Sequence, residues 1–129
     1  MFQSQVAFPV QHLIVADIAD ETYPMWKAPF AGEVIDLYAV PGATLTAGAG
    51  TGLKLTLING GTTGTATTAI GTVGSGTADT GWVADTVKAG SIGVATFVAG
   101  DVINFAYDET GTYNPVWLLV GMNVRYGTS

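Results

Sequence analysis

"VWLLVGMNVRY", residues 116–126, decides the fold. Val116, Leu118, Val120, Met122, Val124 and Tyr126 fall on one side of an extended chain, and Gly121, Asn123 and Arg125 on the other. Side chains alternate across a strand with a period of two, so this pattern marks a strand with one face in a core. The burial of that face and the ordering of its backbone nearly cancel. Such a strand does not stand alone and needs a second sheet across the core.

The same period recurs on the way back towards the N-terminus. "DVINFAY" (101–107) sets Ile103, Phe105 and Tyr107 against Asn104, and "GLKLTLI" (52–58) sets Leu53, Leu55 and Leu57 against Lys54 and Thr56. "EVIDLYAV" (33–40) is read with Ile35 and Leu37 on one face and Asp36 and Tyr38 on the other. "HLIVADI" (12–18) adds a further strand, and "WVADTVK" (82–88) another. "VPGA", "NGG", "AGD" and "ETGTYNP" between them are turn chemistry, in which Gly supplies positive φ and Pro fixes a negative one. No amphipathic helix is evident. Short strands with Gly-rich turns predict an all-β antiparallel sandwich of jelly-roll type. A chain of 129 residues fits one domain. We assign residues 11–129 to it and residues 1–10 to an N-terminal arm.

"NGGTTGTATTAIGTVGSGTADTGW" (59–82) is the unusual segment, with Asp79 as its one charge. "NG" after "LTLI" signals a hairpin. "TATTAIGTV" (65–73) reads as a strand with small residues on both faces, and "GSGTADTG" (74–81) as a mobile tip. Small uncharged side chains allow a neighbour to approach closely, so the segment is expected to be packing surface rather than reaction surface.

Charged residues make up 11% of the chain against roughly 25% for an average soluble protein, while 48% is apolar. No apolar run reaches the roughly 20 residues of a membrane helix, so the expectation is surface hidden by partners, with no membrane role. The net charge is -6, and Lys27, Lys54, Lys88 and Arg125 are scattered. Nucleic-acid backbones are bound by clustered cations, so no nucleic-acid partner is expected. The chain has no cysteine, which removes disulfides and thiolate chemistry. "MFQSQVAFPV" lacks the basic and apolar regions of a secretory signal.

Reactive constellations were sought in turn. His12 is the one histidine, no Ser stands in a G-x-S-x-G elbow, and His12 is read as a strand-end or interface residue. Asp17, Asp20 and Glu21 cluster, as do Asp108 and Glu109, without the spacing of a calcium loop. They are read as a solvated acidic rim. No Gly-rich run precedes a helix as a phosphate cradle requires. "APFAGEVIDLYAVPGATLTAG" (28–48) resembles the opening of biotinyl and lipoyl carrier domains, but Lys54 stands inside an alternating strand and not at a hairpin tip. The expectation is a protein without catalytic residues, cofactor or metal. A glycan-active enzyme with two facing carboxylates is the weakest reading.

"WKAPFAGEVIDLYAV" (26–40), "GLKLTLINGG" (52–61), "FVAGDVINFAYDETGT" (97–112) and "VWLLVGMNVRYG" (116–127) together resemble small β-sandwich head decoration (cement) proteins of tailed bacteriophages. The resemblance covers residues 26 to 126 in pattern. It implies a homotrimeric, non-enzymatic virion protein that sits on the outer capsid surface and clamps the major capsid protein. The "AGD-x-I" element is shared with C1q/TNF-like jelly rolls. The alternative is therefore a receptor- or glycan-binding head of a fibre or adhesin, with exposed aromatics where "GSGTADTGW" and "DETGTYNP" meet. The arm residues Phe2, Phe8 and Pro9, together with His12 and Trp26, are the candidate interface.

Overall fold

The computed structural model describes residues 7–15, 21–45, 52–76, 81–93, 95–111, 113 and 115–126. In chain order the strands are β1 (Ala7–Val15), β2 (Glu21–Lys27), β3 (Gly32–Pro41), β4 (Gly52–Asn59) and β5 (Thr68–Val73). Three two-residue strands follow, β6 (Lys88–Ala89), β7 (Ser91–Ile92) and β8 (Thr96–Phe97), and then β9 (Val102–Thr110) and β10 (Trp117–Tyr126).

β10 lies between β1 and β3, antiparallel to both. β6 and β8 line the far side of β3 and complete the first sheet. The second sheet has the order β2-β9-β4-β5-β7. The pairings nest: β4 with β5, β3 with β6 and β8, β2 with β9, and β1 with β10. A chain folded back on itself as one long hairpin and then rolled into two sheets is a jelly roll. The expected all-β sandwich is the fold.

Between the sheets, Leu118, Val120, Met122 and Val124 of β10 face Leu53, Leu55 and Leu57 of β4 and Ile103, Phe105 and Tyr107 of β9. All ten are buried, as alternation required. β10 departs from its pattern at the ends, where Val116 precedes the strand and is exposed and Tyr126 is partly exposed.

β3 corrects one reading. Val34 pairs with Val124 but Asp36 pairs with Asn123, so Ile35 is an extra residue without a partner, a β-bulge. The insertion reverses the facing of everything before it. Val34 and Leu37 both point inward, and Ile35 is 41% exposed where Leu37 is 2%. "WVADTVK" is a second correction: Trp82 to Val87 form a turn segment, held by Asp85 N–H to Pro41 O at 2.9 Å, and only Lys88 belongs to a strand. Asp85 turns the chain at a φ of 59°. The strand expected over 65–73 is β5, shortened to 68–73. Of the expected tip, residues 77–80 lie outside the described residues.

The boundary placed after residue 10 is a third correction. Ala7 to Val10 are the start of β1, paired with Arg125 to Met122, because Phe8 and Val10 continue the inward alternation of Ile14. Residues 1–6, Phe2 among them, lie outside the described residues.

Leu37→Ala should cost about 2–5 kcal/mol in urea unfolding, as large-to-small changes in a core do. Ile35→Ala should stay within about 0.5 kcal/mol, the usual range for exposed sites. Removing residues 1–10 strips the Phe8 end from β1, so thermal unfolding should move to lower temperature and the fold should not be spared.

Candidate interaction surface

Two outward features of the sandwich can recognise another surface, and they lie at opposite ends of β1 and β10. The first is an aromatic end. β1 and β2 are edge strands of different sheets, and Phe8 and Trp26 from these two edges meet with ring centroids 6.1 Å apart. Phe30, in the β2–β3 connection, lies 5.8 Å from Phe8 and 4.8 Å from Tyr126. Phe97 of β8 backs Trp26 at 5.4 Å and is buried. Most of these pairs are edge-to-face, the arrangement ring quadrupoles favour. The cluster closes the mouth of the sandwich, and its outer rim, Tyr126, is 38% exposed.

A polar network lies at the same end. Gly100, at a φ of 92°, turns the chain so that Asp101 N–H reaches Val98 O at 3.1 Å. Asp101 Oδ2 then accepts from Val98 N–H and from Asn59 Nδ2, both at 2.9 Å, and Asn59 Oδ1 accepts from Gly61 N–H at 2.9 Å. The buried carboxylate is satisfied by Val98 of its own turn and by Asn59 at the end of β4, which is why Asp stands after the Gly of the "AGD" turn.

The residues named from sequence part company here. Phe8 and Trp26 come together. His12 does not join them: it pairs with Val120 in the middle of β1, not at a strand head. Its ring lies 5.6 Å from Phe105, on which Tyr23 stacks at 5.4 Å. Pro9 is exposed on the other face of β1, opposite Asn123.

The second feature is the outer face of the β1-β10-β3 sheet. Near the aromatic end this face is polar, with Arg125 paired to Glu33 and Asn123 Nδ2 donating to Asp36 Oδ2 at 3.1 Å. Next along the strands, the Tyr38 ring lies flat over Gly121, and its hydroxyl accepts from Gln11 Nε2 at 2.6 Å. A Cβ on Gly121 would stand 2.2 Å from Tyr38 Cζ, so only glycine leaves room for the ring. Beyond Tyr38 the face turns apolar. Leu13 pairs with Leu119 and Leu119 with Val40, and Val87 precedes the Lys88 that pairs with Ala39. The result is an apolar row across the sheet, with Leu13 55% and Val87 61% exposed. Trp117 extends it over Gly42.

Sequence reasoning missed this row. Its signal was present in "HLIV", "YAVP" and "VWLLV", which are apolar on both faces of a strand. Such unbroken runs belong to strands covered on both sides. The opposite outer face shows the contrast. There Thr22, Ala106, Thr56, Thr72 and Ser91 lie in register across the sheet.

At the loop end, the aromatics expected on an exposed rim turn inward. Trp82 is fully buried, its carbonyl accepting from Leu45 N–H at 2.8 Å. Tyr113 is buried and its hydroxyl donates to Ala43 O at 2.6 Å. Burial pushes the Tyr113 phenol up from 10.0 to about 12. Among the described residues no three His, Asp or Glu side chains gather as a metal site, and no helix is long and apolar enough to cross a membrane. Compared with known proteins, the chain matches no family model, no curated protein and no solved structure.

The raised phenol predicts a pH dependence. Between pH 10 and about 12 the unfolded chain ionises Tyr113 before the folded one does, so this group's contribution, complete below pH 10, is lost as pH rises through that window. Denaturation curves of wild type and Tyr113→Phe should therefore converge with rising pH across the window. A constant separation would contradict it.

Proposed function

We propose that the chain is a non-enzymatic virion structural protein, a capsid decoration protein that binds the major capsid protein on the outer shell as a homotrimer. The observation that carries this reading is the apolar surface the chain leaves uncovered, the row with Leu13 and Val87 and, at the aromatic end, the rim at Tyr126. Contiguous apolar patches larger than a few hundred Å² are rare on monomeric proteins and mark interaction sites. A net charge of -6 on few charged residues fits a protein whose working contacts are faces and not charge patches. The aromatic end is assigned to the shell. It holds Phe8 and Trp26 of the sequence-predicted interface, which come from the edge strands of the two sheets. Large aromatics at the centre of a contact carry most of its energy.

The alternative, a receptor- or glycan-binding fibre head, called for exposed aromatics on the two loops at the other end. Trp82 and Tyr113 are buried there, so that reading lacks its main support.

The test is co-sedimentation with undecorated shells of the major capsid protein encoded with this chain. Wild type should pellet with the shells. A Phe30→Ser, Tyr126→Ser variant, shown to be folded by its thermal transition, should bind about tenfold or more weakly. Wild-type protein that stays in the supernatant would overturn the decoration reading. Unchanged binding by the variant would move the shell contact off the aromatic end.

A further inference from the structure

We infer that the apolar row on the outer face of the β1-β10-β3 sheet is the surface on which copies of this chain pack against one another, the rows meeting at the axis of the homotrimer. The inference rests on the assembly reading only for the use of this contact in a particle. Association in solution tests it alone.

Strand addition is closed off at every described edge. β1 carries Pro9 and β2 carries Pro24, each without an N–H to give an incoming strand, and β2 is further bent by a bulge between Pro24 and Trp26. At the opposite edges β6, β7 and β8 are two residues each. Strand addition is thereby disfavoured, which directs a copy of this chain to a face or an end. Of the two outer faces, one bears the Thr, Ala and Ser line with Lys54 beside Asp108, and the other bears Leu13, Leu119, Val40 and Val87.

Charge selects the occupant. Copies of a chain with net charge -6 repel each other. The acids of the row's own face, Glu33 and Asp36, lie at its far half and are held by Arg125 and Asn123. The row itself carries no charge, with Lys88 and Asp85 only at its border. This is where two like-charged copies can approach without bringing acids together. A cationic partner would gain nothing from a neutral row.

Local backbone adds an independent sign. Val116, beside Trp117 at the end of the row, has a φ of 69° and sits at the centre of a three-residue turn closed by Trp117 N–H to Pro115 O at 2.7 Å. A β-branched residue is strained there, and Gly would hold the same turn without strain. The side chain, 54% exposed, is what the strain retains.

The experiment is sedimentation velocity with light scattering over a concentration series, on wild type, on Leu13→Glu with Val87→Glu, and on Val116→Gly. Wild type should show a mass at least twice the 13.2 kDa of one chain. The double variant should run as a monomer over the same range, with a dissociation constant raised about 100-fold or more by two charges placed in an apolar contact. Val87→Glu alone, outside the strands, should give a smaller shift in the same direction if the double variant fails to fold. Val116→Gly should weaken association while raising the thermal midpoint of the monomer. A wild-type monomer throughout, or masses unchanged in every variant, would overturn the proposal. Shell co-sedimentation of the monomeric double variant is read separately, so failure of the self-contact and failure of the decoration reading give different results.

Discussion

The structure depends on the burial of one face of β10 between two flanking strands. β10 is the last strand in sequence, yet it holds the centre of its sheet, with the first strand on one side and the third on the other. Its inward residues reach across to β4 and β9, so the core cannot close until the end of the chain arrives. That constraint makes the remaining pairings nest. Once β1 has paired with β10, β2 is led to β9, and the hairpin of β4 and β5 is left at the turn of the roll.

Small residues follow from the same geometry. Gly121 is placed where the Tyr38 ring crosses the sheet, and Gly71 where the β7 backbone comes so close that a Cβ would meet Ser91 O at 2.3 Å. The long run of Gly, Thr and Ala after Asn59 thus has two uses. It lets a minimal strand dock against β5, and it supplies Thr72 to the line of small residues on the hydrophilic outer face. Neither use needs a reactive group. The two outer faces consequently differ in kind, small and polar on one sheet and half apolar on the other.

Much of the fold was legible because period-two alternation is a local property. Leu53, Leu55, Leu57, Ile103, Phe105, Leu118, Val120, Met122 and Val124 could be assigned to the core from spacing alone, since each lies in an unbroken strand. Ile35 could not. A bulge is an event between two strands, and nothing in "EVIDLYAV" announces that its partner will skip a residue. "WVADTVK" failed for a similar reason, because its β-branched residues favour a strand while Asp85 turns the chain at positive φ. The candidate site was half legible. Phe8 and Trp26 were singled out, but their meeting, and their joining by Phe30 and Tyr126, required two edge strands from different sheets to come side by side.

By itself the sequence determined that the chain is all-β and which faces of its main strands are buried. Each of these is set by composition or by residues within one strand of one another. Only the tertiary structure decided which strands are edges, where the bulge reverses a facing, and that Leu13, Leu119, Val40 and Val87 form one row. Those outcomes depend on the register between strands that, for β1 and β10, lie more than a hundred residues apart, and register is fixed by packing across the whole core.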